Sequence, residues 1–133
     1  MSIGLDTCVV LRLLVSQPAD QAQRAVEFLE ALGRRGDRAV VSDLVVAEVY
    51  FALQYHYAVP KKEALAALQK MFADGEIRPT GVTADVLAAE GAALASAKPG
   101  FVDRMIQSAY ISSGGSMATF QKASGKLKSV QVL

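Results

Sequence analysis

Short apolar runs alternate with longer stretches of helical period along this chain, and that alternation leaves few architectures open. "SIGLD", "RAVVS", "EIRPTGV", "SMATF" and "SVQVL" read as strands. The segments between the first four are long enough for helices and too long for tight hairpins, so the strands are expected to pair in parallel. An α/β fold with a mostly parallel sheet follows. Pro79 removes a backbone donor from the third run and assigns it to a sheet edge.

The helical segments carry their own punctuation. "TCVVLRLLV" follows the first strand directly. "PADQAQRAVEFLEALGRRGD" has Pro18 near its start and apolar residues at Ala22, Val26, Leu29 and Leu32, with Gly33 and Gly36 expected to stop it. Ser42 is a suitable N-cap for "DLVVAEVYFALQYHY", and Pro60 opens "PKKEALAALQKMFADG". "TADVLAAEGAALASA" is alanine-rich and helical, and "KPG" breaks the chain before "FVDRMIQSAYISSGG". With 133 residues, 52% of them hydrophobic, and no repeat or low-complexity tract, residues 1–133 are expected to form one domain.

Composition narrows the chemistry. A formal charge of +1 gives no global attraction to polyanions, so nucleic-acid binding would rest on local clusters: Arg34, Arg35 and Arg38, Lys61 and Lys62, or Lys122, Lys126 and Lys128. Cys8 is the single cysteine and His56 the single histidine, which disfavours a zinc cage or a triad built on several histidines. Cys8 reads as a small buried hydrophobe, and His56 as a residue near a helix end. A lone cysteine and the absence of a secretory pattern at the start lead to an expectation of a cytoplasmic protein. No apolar stretch approaches the roughly 20 residues that cross a bilayer.

Oxygen ligands remain, and several stand at informative places. Asp6 lies where the first strand hands over to a helix; capping alone would account for it, yet ligands of α/β sheets also collect at strand carboxyl ends. Glu48 shares a helix face with Leu44, Val45, Phe51 and Ala52, so the sequence predicts a carboxylate inside an apolar stripe that needs a cation, a strong set of donors or a metal, the alternative being a Glu that reaches out to solvent or pairs with an arginine. Asp103 sits in the first turn of its helix, where the helix dipole favours an acid. Thr119 and Gln121 come at the carboxyl end of "SMATF", another strand end, which a parallel sheet could bring beside Asp6. Clustered carboxylates repel one another, and a hard divalent ion such as Mg²⁺ or Mn²⁺ relieves that repulsion.

"IGLDTCVVLRLL", "VSDLVVAEVYFAL", "GFVDRMIQSAY" and "MATFQ" occur in the order and context of the PIN-domain family. The chain resembles most the VapC-type toxins of bacterial toxin–antitoxin pairs. That resemblance implies a three-layer α/β/α fold with a mostly parallel central sheet, and metal-dependent cleavage of RNA. It assigns Asp6, Glu48 and Asp103 as catalytic and metal-binding acids, with Thr7, Thr119 and Gln121 in support. It further implies an antitoxin partner and a homodimer. Arg104, Lys122 and Lys126 are candidates to hold the RNA backbone.

Two positions depart from the family pattern: Cys8 replaces the Asn of Asp-Thr-Asn, and Gln121 replaces the Asp of Thr-Phe-Asp. Gln121 can offer a carbonyl oxygen but no charge, so a second metal is expected to bind more weakly. An alternative reading is therefore a catalytically weakened PIN domain that binds RNA or a protein. A phosphoacceptor receiver domain fits poorly, because Lys98-Pro99 follows a helix rather than a strand. A phosphatase using Asp6 as nucleophile would want an acid at position 8.

Overall fold

The computed structural model describes the backbone of residues 1–133 and the side chains of all but residues 90–92. Contacts divide the chain into two compact units, Met1–Thr80 and Gly81–Leu133. The first contains β1 (Ser2–Gly4), α1 (Thr7–Val15), α2 (Ala19–Arg35), β2 (Arg38–Val41), α3 (Asp43–Tyr55), α4 (Lys61–Ala73) and β3 (Ile77–Pro79). Two helices separate each strand from the next, and the strands pair in the order β1-β2-β3, all parallel. The register sets Ile3 opposite Ala39 and Val40 opposite Arg78. β3 is an edge strand, as Pro79 requires.

The core of this unit gathers one face from each element: Val10 and Leu11 of α1, Leu32 of α2, Ala39 and Val41 of β2, Val46, Val49 and Leu53 of α3, and Leu65 and Leu68 of α4. Each such side chain contributes about 1.5–3 kcal/mol by leaving water. At the other end of the sheet, Asp37 accepts from the Met1 ammonium at 3.1 Å and from Arg35 Nε at 3.0 Å. These two cations, Arg35 first, hold its carboxyl below the usual range.

Local signals decide most boundaries. Ser42 Oγ accepts the Val45 N–H at 3.3 Å and caps α3. Gly36 ends α2 at a φ of 77°, a left-handed conformation that glycine adopts without steric cost. Gly33, by contrast, lies inside α2 and does not stop it. The buried face of α2 is also rotated from the expected one: Ala22, Ala25 and Leu32 are buried, while Val26 is 46% exposed. Alanine at position 25 fits against the core where a larger residue was anticipated at 26.

The second unit contains α5 (Thr83–Glu90), a 3-10 turn (Gly91–Ala95), α6 (Phe101–Ser112), β4 (Met117–Thr119), a second 3-10 turn (Lys122–Lys126) and β5 (Val130–Val132). Val82, Val86, Leu87, Leu94, Phe101 and Met105 form its apolar centre. β4 and β5 pair in parallel as a two-stranded sheet of their own, with Met117 opposite Val130. The chain is thus mixed α/β with only parallel ladders among the described strands, carried by two sheets rather than one.

Leu68 is fully buried. Leu68→Ala is expected to lower the stability of the fold by about 2–5 kcal/mol in urea unfolding, whereas Val26→Ala should change it by less than about 0.5 kcal/mol.

Candidate functional site

The first set of polar groups forms where two neighbouring parallel strands end. The Leu5 N–H donates to the Val40 carbonyl at 2.9 Å, prolonging the β1–β2 ladder by one residue. Asp6 then turns the chain into α1, with φ −81° and ψ 163°. Its Oδ1 accepts the Thr7 N–H at 2.7 Å, and Cys8 Sγ lies 3.9 Å from its Oδ2. Ser42 does the corresponding work at the end of β2, so α1 and α3 both begin at the carboxyl edge of the sheet.

Thr7 is the link between these helices. While its backbone N–H serves Asp6, its hydroxyl donates to Glu48 Oε2 at 3.3 Å. Two acids separated by 42 positions are thereby held by one residue. The capping reading of Asp6 holds, and it does not exhaust what Asp6 does: its second oxygen faces outward toward Cys8.

Burial does not explain Glu48. The side chain is exposed, and so are its helical neighbours Leu44, at 72%, and Phe51, at 43%. The expectation of a carboxylate inside a buried apolar stripe is corrected: α3 turns Val46, Val49, Tyr50 and Leu53 inward and leaves the Leu44–Glu48–Phe51 face outside. Phe51 and Tyr55 stack on that outer face with ring centres 6.2 Å apart. Cys8 is likewise exposed rather than buried, because the inward face of α1 belongs to Val10 and Leu11.

The second set lies in the other unit, in a cleft of about 250 Å³ lined by Asp103, Ile106, Tyr110, Met117, Thr119, Gln121 and Ser124. Asp103 is half-buried in the first turn of α6, where the dipole stabilises its charge. Gln121 Nε2 donates to Asp103 Oδ2 at 3.4 Å, and Ser124 Oγ donates to Gln121 Oε1 at 2.7 Å. The Gln121 N–H donates to Thr119 Oγ1 at 3.0 Å. Gln121 therefore turns its amide nitrogen, not its carbonyl, toward the acid. Ser124 stands between Ala123 and Gly125 with no motif to mark it, and sequence reasoning passed over it.

Arg104 Nε donates to the Pro99 carbonyl at 2.8 Å, so part of its guanidinium fastens α6 to the preceding loop. Lys122 and Lys126 are exposed at the two ends of their 3-10 turn. Larger recesses exist in the first unit, one of about 440 Å³ floored by Leu13, Leu14, Leu29 and Met71, but they include neither Asp6 nor Glu48.

Among the described residues, no three or more His, Cys, Asp or Glu side chains gather closely enough to hold a metal. Each unit nevertheless presents carboxylate oxygens already oriented by neutral donors: Asp6 and Glu48 by Thr7, and Asp103 by Gln121. Such a donor set fits a hard divalent cation and not a soft one. Because Cys8 is exposed, a thiol reagent such as dithiobis-nitrobenzoate is expected to titrate it fully in the folded protein; reaction only after unfolding would contradict its placement.

Comparison with known proteins gives one clear result and one blank. No curated protein matches the sequence. The family model described as PIN domain matches residues 3–126, a span that includes Asp6, Thr7, Glu48, Asp103, Thr119 and Gln121 and takes in almost the whole of both units. The chain belongs to the PIN domain family.

Proposed function

We propose that this chain is a Mg²⁺- or Mn²⁺-dependent endoribonuclease whose catalytic acids are Asp6, Glu48 and Asp103, and that residues 1–133 work as a single domain. PIN domains are generally nucleases, which supports the class of reaction. The observation that carries the proposal is the double use of Thr7, which ties two acids 42 positions apart to one residue. A capping Asp needs no such partner.

The residues of this chain divide the work. Asp6, Glu48 and Asp103 would hold the ion, and Thr7, Thr119 and Gln121 keep them in place through the bonds described above. A bound divalent ion supplies an acidified water and neutralises charge on the phosphoryl oxygens. Lys122 and Lys126, exposed beside Gln121 in sequence, are suited to the RNA backbone, and binding through them weakens as salt rises. Arg104 is less suited, since its Nε is engaged with Pro99.

We assign the protein the role of the toxin in a cytoplasmic toxin–antitoxin pair, with an antitoxin chain as partner. A homodimer is the proposed assembly. No described helix is long and apolar enough to cross a membrane.

One observation favours a second reading, an RNA- or protein-binding PIN domain of weak activity: Gln121 supplies a neutral donor where the family pattern has a fourth acid. RNA incubated with the purified protein separates the two. The nuclease reading expects cleavage with Mn²⁺, none with excess chelator, and a loss of at least about 100-fold in Asp103→Asn. Cleavage by Asp103→Asn at the unaltered rate would reject the assignment of Asp103, and binding without cleavage would favour the second reading.

A further inference from the structure

Ser124 belongs to no motif, yet it is 1% exposed and its hydroxyl makes the shortest side-chain bond of the second unit's cleft, 2.7 Å to Gln121 Oε1. The direction of this bond is forced. An ionised carboxylate only accepts, so the group of Gln121 that faces Asp103 must be the NH₂. The amide oxygen is then the atom facing Ser124, and the hydroxyl must donate. An exposed glutamine side chain on its own would retain its rotamer freedom. Here its backbone is held as well, by the Thr119 hydroxyl on its N–H and by the Ser124 N–H on its carbonyl at 3.2 Å.

We infer that Ser124 is a positioning residue for Asp103: its buried hydroxyl orients the Gln121 amide, and the oriented amide sets the Asp103 carboxylate. The inference deepens the nuclease reading and rests on it for the purpose of the carboxylate, but not for the existence of the relay. Donation into the amide oxygen polarises the NH₂ and strengthens its bond to the acid, so the two bonds support each other. The relay also gives Gln121 a purpose that an acid at 121 could not serve, since a carboxylate offers no donor to Asp103.

The test uses the full chain, Ser124→Ala and Ser124→Cys, free of metal and RNA, with the Gln121 side-chain NH₂ followed by ¹⁵N nuclear magnetic resonance. In the parent protein the two protons should be well separated in shift and slow to exchange. In Ser124→Ala they should move to the positions of a solvated amide and exchange faster, with Ser124→Cys between the two because a thiol is a weak donor. Manganese titrated by calorimetry should then bind about tenfold more weakly to Ser124→Ala, as expected when a partner that orients a ligand is lost. Unchanged amide signals in Ser124→Ala would overturn the relay, and altered signals with unchanged manganese affinity would overturn the positioning role. If the parent chain binds no manganese, the metal-dependent reading fails while the amide signals still decide the relay. Unaltered backbone spectra away from the cleft exclude misfolding as the cause.

Discussion

Parallel pairing of β1 with β2 is the constraint from which the first half of the candidate site is built. Strands that run the same way end at the same edge, and each here hands over at once to a helix whose first N–H groups need acceptors. Asp6 and Ser42 supply them. Once α1 and α3 start from adjacent points, Thr7 at the first position of one reaches Glu48 in the second turn of the other. An antiparallel arrangement of the same segments would place the two caps at opposite edges and lose the Thr7 bridge.

Hydrogen bonding, rather than burial, organises the acids. Glu48 is in solvent, Asp6 is exposed, and Asp103 is half-buried, so none of them is forced by desolvation to recruit a counter-charge. What distinguishes them from ordinary surface acids is that each accepts from a neutral donor fixed by its own backbone or by a buried neighbour. Carboxylates of this kind remain accessible from solvent. Open access suits a nuclease, whose substrate is large and must approach with its own counterions displaced.

The sequence revealed the strand–helix alternation, the parallel pairing, the edge position of Pro79 and the caps at Asp6 and Ser42, because each of these follows from local chemistry within a few residues. It misdirected where two faces of a helix were both apolar. Around α3, Leu44, Val45, Phe51 and Ala52 form as convincing a stripe as Val46, Val49, Tyr50 and Leu53, and only tertiary packing chooses between them. The same ambiguity moved the inward face of α2 from Val26 to Ala25. The orientation of Gln121 was out of reach for a different reason: it is decided by Ser124, three residues on, through a 3-10 turn that has no strong sequence signature.

Thr7 joins Asp6 to Glu48, and coupling between these two acids in binding one ion tests the proposed site most directly. Manganese affinity measured for the parent chain, Asp6→Asn, Glu48→Gln and the double variant completes a cycle. With a shared ion, each single substitution weakens binding strongly and the double variant loses far less than their sum. Losses that add to within about 0.5 kcal/mol would show the two carboxylates acting independently and contradict the account.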